Sequence, residues 1–133
     1  MHKYRVNEKE LREKLSELQY RVTQEGGTEA PFSNDNFPKD LGSFHCVCCG
    51  SELFLSEKKY DSGTGWPSFY EAVEQSKIEL STDYSNMMVR TEARCSNCSA
   101  HLGHVFDDGP QPTGTRYCMN GSALKFNKRD VKA

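Results

Sequence analysis

The six cysteines are the residues of this chain whose types and spacing most directly suggest chemistry. Four of them form two CxxC pairs, Cys46 with Cys49 and Cys95 with Cys98. A turn of this kind holds two thiolates close enough to share an ion about 2.3 Å from each sulfur. Two such pairs complete a tetrahedral shell that selects zinc, or less often iron, and leaves no open coordination position. We therefore expect one structural zinc ion per chain.

A pair of redox CxxC motifs, as in thioredoxin-like proteins, is the alternative for these cysteines. Such a motif lies at the start of a helix that follows a strand, and two matched pairs are not expected. The 45 residues between the pairs exceed the spacing of ordinary zinc ribbons, so the ion would join two segments across an inserted domain. Cys48 lies between the two ligands of the first pair, and we interpret it as a bystander that could compete as a ligand.

Cys118 lies outside both pairs, in the strand-like segment 116–120. Alternation along a strand would place Arg116, Cys118 and Asn120 on one face, and a nearby guanidinium stabilises a thiolate. A lone cysteine in a strand is nevertheless more often a small buried residue. Its assignment as a nucleophile therefore depends on the residues around it.

Two histidines and one tryptophan are the candidates for such neighbours. His101 and His104 follow the second CxxC pair, so a zinc site would fix where their imidazoles point, and histidine donates protons near neutral pH. They could also be core residues or a zinc-binding pair, although a catalytic zinc usually takes three protein ligands and no third is evident. Trp66, the only tryptophan, lies in the glycine-rich loop 61–69, a placement typical of a binding platform.

The N-terminal segment predicts one helix, over residues 7–19. Asn7 can cap it, and Glu10 stands three residues further on, as in a capping box. Its apolar residues follow helical spacing at Leu11, Leu15, Leu18 and Val22. Gly26 and Gly27 would end the helical segment, to which we assign a packing role.

Beyond residue 44 the pattern changes to short runs separated by Gly, Pro, Asp and Ser, with strand length and no helical period. The runs cover residues 52–54, 78–81, 87–94, 104–106, 116–119 and 123–126, with a short turn near 69–74. We predict a single, mainly β domain with antiparallel pairing. Its parts are an N-terminal helix (1–22), an arm (23–43), a zinc-stapled catalytic β domain (44–126) and a tail (127–133).

Charge and composition narrow the classes of partner. The formal net charge is -2 and no run of Lys or Arg stands out, so we expect no nucleic-acid partner. No apolar stretch approaches the roughly 20 residues that span a bilayer, so no membrane association is expected. The segment 1–17 is charged throughout, unlike a signal peptide. We expect a cytoplasmic protein, in a compartment that keeps thiols reduced.

Taken together, five motifs resemble the methionine sulfoxide reductase B family over about residues 20–126. They are Phe44-x-Cys46-x-x-Cys49-Gly50, Asp61-Ser-Gly-Thr-Gly-Trp66-Pro-Ser-Phe69, Ala100-His-Leu-Gly-His-Val-Phe106, Asp108-Gly-Pro110 and Arg116-Tyr-Cys118-x-Asn120. The segment 27–32 is similar to the family's arm. The resemblance implies a β-tent or zinc-ribbon-like fold of two antiparallel sheets, with the reaction centre on one sheet and zinc at the far end.

The resemblance also implies a role for each site residue. Cys118 would be the nucleophile, and Arg116 the cation that lowers its pKa. The polar side, which orients the sulfoxide oxygen directly or through water, would be formed by His101, His104 and Asn120. Trp66 would be the wall for the sulfoxide's methyl group, and Asp108 would help to order this network.

The implied activity is the reduction of peptide-bound methionine R-sulfoxide, in oxidised protein substrates, to methionine. A sulfoxide sulfur is a poor electrophile until its oxygen is protonated, so an acid and a thiolate must act together. Attack by Cys118 would release the thioether and leave a cysteine sulfenic acid, which a thioredoxin-like reductant would recycle. We expect the protein to be a monomer.

Two positions depart from the family's pattern. Thr64 stands where the family often has a cysteine that resolves the sulfenic acid as a disulfide. Gly121 stands where a serine commonly follows the asparagine, a change expected to loosen the turn after the nucleophile.

Two other classes of protein remain as alternatives. A non-enzymatic zinc module that binds a protein partner shares the four-cysteine site but needs neither Cys118 nor Trp66. A zinc hydrolase that uses His101 and His104 needs a second metal ion with an open coordination position.

Overall fold

The computed structural model describes residues 7–129, which are mainly β with two antiparallel sheets, as predicted. The helices are α1 (Glu8–Lys14) and α2 (Glu17–Glu25). The strands are β1 (Gly42–Cys46), β2 (Glu52–Leu55), β3 (Lys59–Tyr60), β4 (Ser68–Phe69), β5 (Ile78–Asp83), β6 (Arg90–Cys95), β7 (His101–Phe106), β8 (Arg116–Met119) and β9 (Leu124–Lys128). Residues 1–6 of the predicted helix segment and 130–133 of the predicted tail lie outside the described residues.

The prediction of one N-terminal helix is wrong, because the chain forms two. Leu15 leaves α1 in an extended conformation, and Ser16 begins α2 with a capping box. The Ser16 hydroxyl accepts the N–H of Gln19 at 3.1 Å, and the Gln19 side chain accepts the N–H of Ser16 at 2.8 Å. The apolar spacing continues through this break, since Leu11 and Val22 on either side of it are both buried. Periodicity alone therefore could not reveal it.

The two helices pack on the first CxxC turn. Asn7 caps α1 as predicted, and Gly26 ends α2 in the left-handed conformation. Lys14 Nζ donates to the backbone oxygen of Cys48 at 2.8 Å, and Gln24 Nε2 donates to its sulfur at 3.3 Å. These contacts fix both helices against residue 48, in agreement with the packing role. Neither helix in the described part of the chain is long and apolar enough to cross a membrane.

The small sheet has the strand order β2-β1-β9, and the large sheet has the order β3-β4-β8-β7-β6-β5. Six of these strands coincide with the predicted runs, whereas β1, β3 and β4 were not predicted. β3 and β4 have two residues each, too few for an alternating pattern. β1 begins at Gly42 and β9 ends at Lys128, two residues beyond each predicted boundary of the β domain. The short turn expected near 69–74 lies instead at Gln75–Lys77, as a 3₁₀ turn.

An aromatic layer joins the two sheets. Phe54 of the small sheet stacks on Phe69 of the large sheet, with ring centroids 4.2 Å apart. Phe44 meets Phe69 edge-on at 5.0 Å, and Phe54 meets Tyr117 at 5.4 Å. Because Tyr117 points into this layer, its neighbour Cys118 on β8 must point to the opposite face of the large sheet.

Candidate functional site

A cleft of about 290 Å³ opens on that opposite face. It brings together five of the predicted site residues: Trp66, His104, Arg116, Cys118 and Asn120. The other two lie beside it, since His101 is buried next to His104 and Asp108 contacts Arg116. A larger cavity of about 440 Å³ lies under the arm, but its lining residues, all between 32 and 65, include no cysteine or histidine.

Cys118 occupies a central strand of the large sheet. Cys118 lies on β8, opposite His104 of β7 on one side and opposite Ser68 of β4 on the other. Paired residues of antiparallel strands project to the same face, so the thiol and the imidazole of residue 104 are direct neighbours. Register, rather than sequence proximity, places them together.

The pKa of the Cys118 thiol is raised above its usual value, mainly by burial. Arg116 and the Thr64 side chain lower the pKa of this thiol, as predicted for the guanidinium, but they do not outweigh the desolvation. The sequence predicted a lowered value because it showed the cation and not the burial. The resting side chain is therefore a thiol near neutral pH.

Arg116 is held rigidly beside Cys118. Its Nε and Nη2 donate to the two carboxylate oxygens of Asp108 at 2.8 and 3.1 Å. The guanidinium also lies over the ring of Phe106, with 4.2 Å between the guanidinium carbon and the ring centroid. The arginine in turn lowers the pKa of the Asp108 carboxyl. Asp108 thus orders the site through Arg116 rather than by lining the cleft.

A β-bulge puts the two histidines on the same face. Positions 101 and 104 are three apart, so regular alternation would point them to opposite faces. The register of β7 against β6 shifts between the Gly103 pair and the His101 pair, which leaves Leu102 as an extra residue. The shift restores His101 to the face of His104, with ring centroids 5.5 Å apart. No local pattern in the sequence indicates this bulge.

Each histidine is fixed by a carboxylate from another strand of the large sheet, His101 from the adjacent β6 and His104 from β5 beyond it. His101 Nδ1 lies 2.6 Å from Oε2 of Glu92, and His104 Nε2 lies 2.8 Å from Oδ2 of Asp83. The bond with His104 lowers the pKa of the Asp83 carboxyl, and burial lowers the pKa of His101. Neither acid was predicted from the sequence, since only the pairing of β5, β6 and β7 brings them to the histidines.

Asn120 holds the bulge in place. Its backbone N–H and its side-chain Nδ2 both donate to the carbonyl oxygen of Leu102, at 2.8 and 3.1 Å. Its Oδ1 accepts the backbone N–H of Glu29, in the arm, at 3.1 Å. The backbone oxygen of Glu29 in turn accepts Nε1–H of Trp66 at 3.1 Å. The arm thus connects two residues of the cleft, a link that the sequence did not reveal.

Gly121 is buried under the arm. Its N–H donates to a Glu29 carboxylate oxygen at 2.8 Å, and an added Cβ would collide with the backbone oxygen of Asn34. We expected the glycine at position 121 to loosen this turn. The packing does not show such loosening, because the backbone of Asn34 occupies the space that a side chain at position 121 would need.

The four cysteines of the CxxC pairs form one compact cluster. Their sulfurs all lie within 4.8 Å of one another, with 3.6 Å between Cys46 and Cys98 and 3.6 Å between Cys49 and Cys95. A tetrahedron of thiolates about 2.3 Å from a zinc ion has edges of about 3.8 Å. The cluster can therefore hold a metal ion. Cys48 is fully buried and is not one of the four.

The cysteine cluster lies away from the cleft. Cys95 ends β6, three residues after Glu92, the residue that pairs with His104. Three residues of strand cover about 10 Å, and His104 separates Glu92 from Cys118 across the sheet.

Within residues 7–129 the cysteine cluster is the one group of three or more side chains that could together hold a metal ion. The hydrolase alternative needs a second such group, so it gains no support from the described residues.

We predict that Gly121→Ser lowers the free energy of unfolding by about 1–3 kcal/mol, the usual range for an overpacked site. The obstacle is a backbone oxygen, which can move only if the arm moves. Denaturant unfolding of the variant and the original chain measures the difference. An unchanged free energy of unfolding would show that the arm yields without cost.

Comparison with known proteins agrees with these features. The family model described as SelR domain matches residues 15–128. "Peptide methionine sulfoxide reductase MsrB" of Hahella chejuensis is 54% identical over 134 residues, covering 100% of this chain and 96% of that protein. The protein of the same name from a Synechococcus species is 51% identical, covering 93% of this chain and 92% of its own length.

A longer mouse protein is similar as well. "Methionine-R-sulfoxide reductase B3, mitochondrial" of Mus musculus is 51% identical over 125 residues, which cover 93% of this chain and 49% of the mouse protein. The matched domain and the near full-length similarity to the bacterial proteins leave one assignment. The chain belongs to the methionine sulfoxide reductase B family.

Proposed function

We propose that this protein reduces peptide-bound methionine R-sulfoxide to methionine, with Cys118 as its nucleophile. The observation that carries the proposal is the pairing of Cys118 with His104 in a cleft that Trp66 and Arg116 also line. Membership of the family supports methionine sulfoxide reduction as the reaction. The R epimer and the peptide-bound form follow the names of the relatives.

The proposed step moves one oxygen atom from substrate to enzyme. The sulfur of Cys118 attacks the sulfoxide sulfur and forms a transient S–S bond. The substrate S–O bond then breaks as the oxygen moves to the cysteine sulfur, and the S–S bond breaks as the thioether leaves. The proton lost by the thiol ends on the transferred oxygen, so a thiol and a sulfoxide give a sulfenic acid and a thioether. The substrate gains the two electrons that the cysteine loses.

The residues of the cleft divide this work between them. His104, oriented by Asp83, hydrogen-bonds the sulfoxide oxygen and assists its protonation. Trp66 contacts the methyl group, which prefers an aromatic surface to water. Arg116 offsets part of the cost of forming a buried thiolate. His101 acts behind His104, as its polar neighbour.

We predict that Cys118→Ser abolishes sulfoxide reduction, because a serine hydroxyl does not ionise near neutral pH. Cys48→Ser is the matched control, the same substitution at a buried cysteine outside the cleft, and it should retain activity. Reduction of R- and S-sulfoxide peptides with dithiothreitol, followed by chromatography, measures both. Turnover by Cys118→Ser would assign the nucleophile to another thiol, and turnover of the S epimer alone would refute the stereochemical assignment.

We further propose that the cysteine cluster holds one structural zinc ion. Soft thiolates at near-tetrahedral spacing favour zinc. Three of the four cysteines are buried, and a bound cation would neutralise thiolates that are otherwise costly to bury. When bound, the ion joins the loop after β1 to the loop after β6, and therefore ties the small sheet to the large sheet. Its distance from the cleft fits a role in stability rather than in the reaction.

Replacing one ligand should separate these roles. We predict that Cys95→Ser loses the zinc and lowers the melting temperature strongly, since binding to a closed site contributes directly to folding. Cys48→Ser should keep one zinc per chain, because this residue is not in the cluster. Metal analysis and thermal unfolding of both proteins measure the outcome. A Cys95→Ser protein without zinc that melts like the original chain would contradict a structural ion.

The sulfenic acid must be reduced before the next turnover, and we propose that an external, thioredoxin-like reductant attacks it directly. With four cysteines committed to metal, Cys48 is the one other thiol of the chain. It is fully buried against α2, away from the cleft. Thr64 occupies the loop position beside Cys118.

We predict that one equivalent of substrate, without reductant, leaves a Cys118 sulfenic acid that dimedone traps. Thr64→Cys should convert this product into a disulfide between residues 64 and 118, because Thr64 and Cys118 line the same cleft and the Thr64 side chain is close enough to influence the pKa of the thiol. Peptide mapping by mass spectrometry, with zinc retained, identifies the products. A disulfide between Cys48 and Cys118 in the original chain would overturn the one-cysteine cycle.

A further inference from the structure

Glu29 is a buried carboxylate that the proposed reaction does not use. Its exposed fraction is 2%, although it lies in the irregular arm between α2 and β1. Among the residues the structure describes, no lysine, arginine or histidine forms an ion pair with it. A buried charge without a cation needs several hydrogen bonds to offset its desolvation. Its partners therefore show what the side chain is for.

Those partners belong mainly to the turn that follows the nucleophile strand. One carboxylate oxygen accepts the N–H of Gly121 at 2.8 Å. The other accepts the N–H and the hydroxyl of Ser122, at 2.8 and 2.7 Å, and Nδ2 of Asn34 at 3.3 Å. Three of the four bonds thus hold the backbone and side chain of residues 121 and 122, directly after Cys118–Asn120.

The main chain of Glu29 reaches the other side of the cleft. Its N–H donates to Oδ1 of Asn120, the residue that holds the Leu102 bulge. Its carbonyl oxygen accepts the indole N–H of Trp66. One residue therefore binds the turn after β8 and the tryptophan that lines the cleft, and it reaches the bulge beside the histidines through Asn120.

The geometry points to Glu29 as a positioning residue that fixes Trp66 and the nucleophile strand relative to each other. The carboxylate anchors the arm to residues 121 and 122, and the anchored arm presents its carbonyl oxygen to the indole. This inference rests on the proposed function for its catalytic consequence. The structural part, a fixed orientation of Trp66, is independent of it.

Glu29→Gln tests the inference with little change in volume. The amide has one acceptor oxygen instead of two, so its NH₂ group must face a donor such as the N–H of Gly121. The arm should detach locally and release Trp66, the only tryptophan of the chain, whose emission should shift to the red. We expect kcat for a methionine sulfoxide peptide to fall about 10- to 100-fold, as for a misplacement near 1 Å. Glu25→Gln, an exposed glutamate of α2, is the matched control and should change neither quantity.

A second variant, Ser122→Ala, tests the inference if Glu29→Gln fails to fold. It removes only the hydroxyl donor and should give smaller changes of the same sign in emission and kcat. Alkylation of Cys118 by iodoacetamide should remain complete in every folded variant. A lower melting temperature with unaltered emission and kcat would mean that Glu29 only stabilises the fold, and would overturn the inference. Shifted emission with unaltered kcat would support the fixed orientation of Trp66 and overturn its catalytic consequence. A parent protein without reductase activity would refute the proposed function instead, while the emission would still report on Trp66.

Discussion

Burial of Tyr117 and Met119 between the two sheets decides which way Cys118 points. Successive side chains of a strand project to opposite faces, so a residue between two core residues must face outward from the core. The aromatic contacts of Tyr117 with Phe54 prevent a slip of β8 by one residue, because such a slip would place the thiol in the core. The packing that stabilises the fold is therefore also what presents the nucleophile.

The opposite wall of the site depends on an irregularity rather than on regular pairing. The extra residue at Leu102 reverses the alternation of β7 and brings both imidazoles to the face of the thiol. A bulge disrupts the ladder locally and leaves a carbonyl oxygen without its usual partner. Asn120 satisfies that oxygen with two donors, from the backbone and from the side chain. A side chain two residues after the nucleophile thus maintains the geometry of the histidines, beside the role in orienting the sulfoxide oxygen that the sequence resemblance implied.

The sequence predicts those parts of the molecule that depend on local spacing. Each CxxC pair, the alternation around Cys118 and each of the runs that became β2 and β5 to β9 is defined by residues only a few positions apart in the chain. Asp83, Glu92 and Glu29 could not be found in this way, because strand register and the path of the arm bring them to the site from 21, 9 and 91 residues away. The helix break at Ser16 was missed for another reason. Its capping signal was present, but the apolar period continued across it and gave the stronger signal.

Burial raises the pKa of Cys118, although a nucleophile acts as a thiolate. The two facts are compatible in the proposed reaction, since the substrate oxygen needs a proton as much as its sulfur needs a thiolate. A thiol that keeps its proton until a sulfoxide enters the cleft can supply both, and it is less exposed to attack by stray oxidants than a permanent thiolate. Arg116 and Thr64 then limit the cost of the charge that forms during transfer. On this account the desolvation of Cys118 couples its deprotonation to the arrival of substrate.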